Sequence, residues 1–309
     1  MRVVVALGGN ALSTSDGGSV EQLRDSLAQA SAALADLVAG GASLVLTHGN
    51  GPQIGRLLLQ QELAADRVPP MPMDVCGALS QGQLGYLIAQ SLDNELRRRA
   101  LPTRVLCLVT QVVVDGSDPA FRRPSKPVGP SYDESAARAI GQSSGHVLMV
   151  QADGRWRRVV ASPQPLSLVE EGPLLALVSS GHVVVAAGGG GVPVVEHHGR
   201  LQGVEAVIDK DRTAALLATA VDADVLLMLT AVERLQVGYG GPHARELHSV
   251  TTTEARALLA AGEFPDGSMG PKVEVCVGFV EAGGRAALGA LGQAAEVLAG
   301  TAGTTFLRG

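Results

Sequence analysis

The sequence predicts an α/β fold around a mainly parallel sheet, and three observations support this. Short apolar runs rich in Val, Leu and Ala, at residues 3–7, 44–47, 105–109, 182–186 and 225–229, read as strands buried on both faces. Segments of helical period separate most of them, and a helix between two strands makes the connection a crossover to a parallel neighbour. Several of the strands stop at turns of glycine and other small residues. The chain is long enough for such a fold. Its 309 residues, 46% of them hydrophobic, give one large domain or two smaller ones a sizeable core. Only 3% are aromatic, so Val, Leu, Ala and Ile must fill that core.

The first strand, 3–7, runs into Gly8-Gly9-Asn10. Its apolar stretch is too short for a leader peptide and reads as a buried strand. Residues 20–39 place Leu23, Leu27, Ala30, Leu34, Leu37 and Val38 at helical spacing, and Gly40-Gly41 ends that helix. Strand 44–47 leads into His48-Gly49-Asn50-Gly51-Pro52-Gln53, and a helix follows through Leu57, Leu58 and Leu59. A second helix, about 75–99, closes on Arg97-Arg98-Arg99, where cations suit a helix C-terminus. Strand 105–109 comes next. Residues 112–166 then break the alternation. Six prolines, the only tryptophan (Trp156) and short alternating runs at 146–150 and 157–160 predict hairpins, hence an inserted flap that carries Lys126. The alternation resumes with a helix at 167–179, strand 182–186 and the run Gly188 to Gly191. A helix from Lys210 to about residue 221, strand 225–229 and a helix at 252–261 follow. Gly267-Ser268-Met269-Gly270-Pro271-Lys272 opens another helix, and 286–291 and 304–307 are the final strands. With no internal repeat and no linker of disordered composition, 1–309 reads as one domain, with approximate lobes 1–180 and 181–309.

Composition narrows the function. A net charge of −6 without a basic run argues against a nucleic-acid partner. No apolar run reaches membrane-spanning length. Cys76, Cys107 and Cys276 lie far apart in apolar segments, unlike a disulfide framework or a metal site, and suit a reducing cytoplasm. His197 and His198 would face opposite ways in a strand, with no carboxylate or thiol set beside them, which argues against a metal there. His48 at a strand end reads as an orienting residue rather than a base, and no G-x-S-x-G supports Ser/His/Asp hydrolysis.

Two features point to phosphate chemistry. Gly8-Gly9-Asn10, Gly49-Asn50-Gly51, Gly188 to Gly191 and, less clearly, Thr230-Ala231 end strands on the sheet edge where ligands bind. Glycine there lets backbone N–H groups and helix N-termini close on an anion. The alternative is that each glycine only makes a tight left-handed turn. A Walker-type loop is absent, and Gly49-x-Gly51-x-x-x-Gly55 misses the dinucleotide spacing by one and lacks the ribose-binding acid. The second feature is the lysines. Of 24 basic residues only Lys126, Lys210 and Lys272 are lysines, and arginine serves everywhere else. Codon bias with three accidental survivors on solvated faces would leave the same count. Each lysine, however, stands in unusual company, Lys210 between Asp209 and Asp211 at the head of an apolar helical run. A compact ammonium reaches a phosphoryl group in transfer where a broad guanidinium does not fit.

These residues fall in longer motifs. They are residues 5–12 (Val-Ala-Leu-Gly-Gly-Asn-Ala-Leu), Thr47 to Gln53, Met73 to Gln81, Lys126-Pro-Val-Gly-Pro130, Trp156-Arg-Arg-Val-Val160, Gly188-Gly-Gly-Gly-Val-Pro193, Gly203 to Asp211 and Gly267 to Lys272. In order, from Met1 to Thr304, the set resembles the carbamate kinases of the amino-acid kinase superfamily. Many relatives carry a lysine two residues before the first Gly-Gly. Ala6 stands there in this chain, as expected of carbamate kinases, which use the lysine of the Asp-Lys-Asp stretch instead.

The resemblance implies an open three-layer αβα sandwich with a protruding flap, a homodimer, and reversible phosphoryl transfer between ATP and carbamate to give ADP and carbamoyl phosphate. In arginine or purine breakdown the reverse direction makes ATP. It further implies that Gly8, Gly9, Asn10, Gly49, Asn50 and Gly51 hold carbamate and the transferred phosphoryl. Lys210 and Lys272 would bind the ATP phosphates, Asp209 would orient the lysines, and Lys126 would reach in from the flap. Asp211, Tyr239, Met269 and Gly270 would lie at the nucleotide with Lys272. Mg²⁺ would be held mainly by the phosphates of ATP or ADP rather than by a protein ligand set. Ser125, Ala161 and the stretch Gln151-Ala-Asp-Gly depart from the family's pattern, all in the flap, which leaves open another small carboxylate, phosphonate or phosphate as substrate. A nucleotide-binding sensor without turnover would be expected to lack one of the lysines, and all three are present.

Overall fold

The computed structural model describes residues 1–8, 19–241, 243–264 and 267–309. In chain order, β1 (Arg2–Leu7), α1 (Val20–Ala39), β2 (Ser43–His48), α2 (Gly51–Ala64), α3 (Met73–Arg98) and β3 (Val105–Leu108) come first. They are followed by β4 (Gln111–Val114), β5 (Lys126–Tyr132), α4 (Glu134–Ser144), β6 (Leu148–Val150), β7 (Trp156–Val160), β8 (Pro165–Leu168) and α5 (Glu171–Ser179). Then come β9 (Val183–Ala186), β10 (Val192–His197), β11 (Arg200–Gly203), α6 (Lys210–Ala220) and β12 (Val225–Thr230). β13 (Leu235–Val237), β14 (Arg245–Leu247), β15 (Ser249–Thr251), α7 (Thr252–Ala260), α8 (Met269–Glu281), β16 (Arg285–Ala290), α9 (Ala294–Ala299) and β17 (Thr304–Leu307) complete the chain.

An eight-stranded sheet, in the order β15-β17-β16-β12-β1-β2-β9-β3, forms the middle of the molecule. Its pairings are parallel except β16 with β17. Pleating sends alternate residues to opposite faces. Val3, Val5 and Leu7 of β1 pack with Leu44 and Leu46 of β2 against Leu27 and Leu34 of α1 and Ile88 and Leu92 of α3. Val4 and Ala6 pack with Val45, Leu226 and Met228 against Leu174 of α5, Leu217 of α6 and Val277 of α8. This is why the central strands read as unbroken apolar runs. Both faces are covered, and the result is the three-layer αβα sandwich. Burial of Leu- and Val-sized side chains on both faces, each worth about 1.5–3 kcal/mol, is the main force holding the layers.

The stretch after β3 is arranged differently. β4 and β8 join β10 and β11 in a second sheet of order β11-β10-β4-β8. Between β4 and β8, strands β5, β7 and β6 make an antiparallel three-stranded sheet with α4 beside it. The hairpin reading of 112–166 meets β6–β7, whereas β5 pairs with β7 across the intervening α4 and β6, and that reading does not include α4. Asp133 caps that helix through its side chain, which accepts from Ala136 N–H at 2.8 Å, and Gly145 ends it in the left-handed conformation. The helix expected at 167–179 begins later, at Glu171, because β8 takes up the first residues. His198 is not in a strand with His197. It takes a positive φ in the turn between β10 and β11, so the two rings lie 4.6 Å apart.

Candidate active site

β12, β1, β2 and β9 are neighbours and run parallel, so their carboxyl ends lie side by side. A cavity of about 950 Å³ opens there, between the strand ends, the N-termini of α2, α6 and α8, and the underside of the β5–β7 sheet. It is at this edge of a parallel sheet that ligands bind.

All three lysines line the cavity, each from a different part of the fold. Lys126 is the first residue of β5, and its Nζ donates to Asp209 Oδ2 at 2.7 Å. Lys272 lies in the first turn of α8 and donates to Asp211 Oδ2 at 2.8 Å and to the Ser268 carbonyl at 3.2 Å. Lys210 is the first residue of α6 and reaches back to the Leu7 carbonyl at the end of β1, 3.2 Å away. Asp209 fixes this start. It is the N-cap of α6, with Oδ1 accepting from Asp211 N–H at 2.9 Å. One short segment thus supplies a helix N-terminus, a lysine and two carboxylates that hold the other two lysines.

Charge balance follows from these contacts. Burial alone would raise the Asp209 carboxyl, but the Lys126 ammonium and its hydrogen bond, the Asp211 N–H and Lys272 outweigh it, and the group lies below the usual carboxylate range. Lys210 is held below the usual lysine range, first by burial and then by Lys272 and Lys126, with Asp211 and Asp209 opposing. Asp211 is 4% exposed, and its Oδ1 is buried without a hydrogen-bond partner.

The floor of the cavity is built by close approach. A Cβ on Gly188 would fall 2.2 Å from His48 Nε2, and one on Gly189 would fall 2.1 Å from Asn50 Nδ2. One on Gly190 would fall 2.2 Å from the Ile208 carbonyl oxygen. The glycines of this turn therefore make room for neighbours, and of them Gly189 also lines the cavity. Ala187 before them has φ 49°, and it is held there by Thr110 Oγ1, which accepts from its N–H, and Thr47 Oγ1, which donates to its carbonyl, both at 3.0 Å. Asn50 donates to Ser80 Oγ at 2.7 Å. His48 is 1% exposed, and burial, partly opposed by its bond to Gly49 and reinforced by Lys210, pushes it down to about 4, so it is neutral.

Of the residues implicated by sequence, Gly8, Gly49, Asn50, Gly51, Lys126, Asp209, Lys210, Asp211, Met269 and Lys272 line the one cavity. Gly9 and Asn10 lie outside the described residues. Gly270 is buried in the first turn of α8 beside Met269, and it does not line the cavity. Tyr239 is 73% exposed and does not line it either. Arg157 of β7 was not singled out, yet it lines the cavity, with Nη2 donating to the Gly129 carbonyl at 2.9 Å and Nε buried without a partner. Neighbouring Arg157 and Arg158 must face opposite sides of a strand, but which of them faces the cavity is not readable without the fold. Arg158 instead pairs with Glu205.

A model of the amino acid kinase family matches residues 1–288. Over 312 aligned residues the chain is 46% identical to a carbamate kinase of Thermococcus kodakarensis, covering 99% of each. The chain belongs to the amino acid kinase family, among its carbamate kinases. A carbamate kinase-like protein of Escherichia coli is 41% identical, with 99% of this chain and 98% of that protein covered. The solved structure titled carbamate kinase from Giardia lamblia bound to AMP-PNP superposes with a TM-score of 0.94 at 38% identity, over 100% of this chain and 98% of that one. The amino acid kinase fold thus extends over the whole chain. The strand ends and helix N-termini described above belong to its shared frame.

Proposed function

We propose that the protein is an ATP-dependent carbamate kinase, moving a phosphoryl group reversibly between ATP and carbamate. The observation that carries this is the convergence of Lys126, Lys210 and Lys272 on one cavity at the carboxyl ends of parallel strands. Carbamate is already an anion, so its oxygen attacks the terminal phosphorus without a general base. The bond to the bridging oxygen breaks, and ADP leaves with the negative charge. Such a reaction needs positioning and charge neutralisation rather than proton transfer. His48 does not line the cavity, and burial lowers its pKa to about 4, so it is a poor base for it. The N-termini of α2 and α6 and the ammonium groups supply positive potential where the phosphoryl passes. Lys126 and Lys272 are each neutralised by an aspartate, so an incoming phosphate chain competes with Asp209 and Asp211 for cations already in place.

Among the described residues no group of three or more His, Cys, Asp or Glu could hold a metal ion by itself. The donor set fits a Mg²⁺ carried chiefly by nucleotide phosphates, with the unpartnered Oδ1 of Asp211 the protein oxygen that would hold its shell. Mg²⁺ would spread the phosphate charge as the transfer proceeds. Asp211, Met269 and Lys272 would hold the nucleotide, and Gly8, Gly49, Asn50 and Gly51, with Gly9 and Asn10, the carbamate side. The three departures from the family's pattern do not argue for another substrate, because Ser125, Ala161 and Gln151 do not line the cavity.

We infer a homodimer from the outer surface. β3 is an edge strand with Leu106 exposed, and α3, packed beside it, exposes Val75, Leu79 and Tyr86. An unprotected edge with apolar side chains suits burial against a second copy of this chain. No helix among the described residues is long and apolar enough to cross a membrane, and Cys76, Cys107 and Cys276 are free thiols, which supports a reducing compartment such as the cytoplasm. The function is tested by ATP formation from ADP, Mg²⁺ and carbamoyl phosphate with the purified protein. Rapid ATP production is expected, and binding of ADP without any ATP would refute the substrate assignment.

A further inference from the structure

His48 takes no part in the transfer just described, yet it is a fully buried imidazole directly beneath the phosphoryl-binding turn. It ends β2, where its backbone is held beside Leu7 by the parallel register. Its Nδ1 lies 3.1 Å from the Gly49 carbonyl oxygen. A carbonyl can only accept, so Nδ1 carries the proton, and in the neutral ring Nε2 is then bare. That bare edge faces Gly188, whose missing side chain gives the ring its place.

The consequence lies on the far side of the same peptide. The unit joining Gly49 to Asn50 is planar and trans, so its carbonyl and its N–H point in opposite directions. With the Gly49 carbonyl on the buried ring, the Asn50 N–H points away from that ring, and Gly49, Asn50 and Gly51 all line the cavity. Asn50 is also the N-cap of α2, and its side chain makes no cap, being used on Ser80. Nothing of the residue's own therefore competes for the N–H groups at the head of that helix.

We propose that His48 is a positioning residue, whose Nδ1–H fixes the Gly49 carbonyl and so aims the Asn50 N–H at the phosphoryl group in transfer. The inference rests on the carbamate kinase reading for its substrate, and on geometry alone for the hydrogen bond. It separates two roles that a buried histidine could have. A ring needed only as filler can be replaced by any side chain of its size. A ring needed as a donor can be replaced only by a side chain that puts an N–H where Nδ1 stands, and the amide of asparagine does so.

The test compares His48→Leu with His48→Asn in the carbamoyl phosphate and ADP assay, with ADP affinity measured separately by calorimetry. His48→Leu is expected to lose about 10²-fold in kcat, the scale of one lost oxyanion donor, with ADP affinity unchanged. His48→Asn is expected to recover at least about tenfold of that loss. A folded His48→Leu protein with kcat within about threefold of the parent overturns the proposal, and so does an asparagine variant no better than leucine. Nitrogen NMR of the ring in the unmodified protein decides the matter if a variant fails to fold. A proton on Nδ1, with an Asn50 amide signal that moves on adding inorganic phosphate, supports the proposal, and a proton on Nε2 overturns it. Should the unmodified protein make no ATP at all, the functional reading fails, and the NMR result still judges His48.

Discussion

At Lys210 three demands meet. The residue must begin α6, reach the end of β1 and leave its ammonium in the cavity, and burial holds it below the ordinary lysine range. Removing it as Lys210→Ala should leave a folded protein with kcat lower by on the order of 10²–10³, read from ATP formation. Lys210→Arg should not restore turnover, because a planar fork cannot take the path of a compact ammonium to Leu7. A second expectation concerns Asp209. Its folded pKa lies below the unfolded value of 3.8, so its ion pair stabilises the protein fully above that pH and is lost as pH falls through the lower folded value. Urea unfolding of the unmodified protein and Asp209→Asn should therefore differ near pH 6 and converge in strong acid. At this scale the sequence was readable where a residue type was rare. Three lysines among 24 basic residues marked themselves. Arg157 did not, because arginine is common in this chain and its place depends on a strand's face. The ring of His48 lies against Gly188, which is 140 positions away in the chain, and no local pattern records such a contact.

The elements that could be read in advance are those long enough to show a period. α1 and α3, with 20 and 26 residues, and the central strands with both faces buried fall close to their expected bounds. Apart from α4 and β10, with eleven and six residues, the elements that were not expected are short. β13, β14 and β15 have three residues each, and α9 has six. Such lengths show neither alternation nor a helical turn count, and tertiary pairing decides them. The glycine turns were recognised as turns, but their reason was half seen. Gly8 and Gly49 to Gly51 stand at the cavity wall, where we propose that they bind the anion, whereas Gly188 to Gly190 give way to His48, Asn50 and Ile208. Gly189→Ala tests this at the scale of the turn. Its Cβ has no free direction, and its φ of +69° already disfavours a side chain. Thermal unfolding should show a loss of about 1–3 kcal/mol, the range for overpacking, together with a fall in kcat as Asn50 is displaced.

For the whole molecule, the open questions are assembly and the division of labour between floor and roof. Exposed Tyr86 on α3, beside the edge strand β3, should lie in the surface shared by two copies. Tyr86→Lys should therefore sediment as a monomer where the unmodified chain sediments as a dimer, with like charges set against each other across the two-fold axis. The floor consists of strand ends fixed by the main sheet and a glycine turn wedged against its neighbours. The roof is the β5–β7 sheet, tied to the body by Lys126–Asp209, Tyr132–Glu62 and Arg158–Glu205. That contrast sets the routes by which descendants of this chain could drift. A mutation of Gly188, Gly189 or Gly190 has almost nowhere to put an added atom, so a change there should cost stability before it could admit a new acceptor. A mutation on the roof moves a side chain at a surface sheet. New substrates, if this scaffold ever acquires them, will be inherited through the lid, and the floor will remain a record of the ancestor.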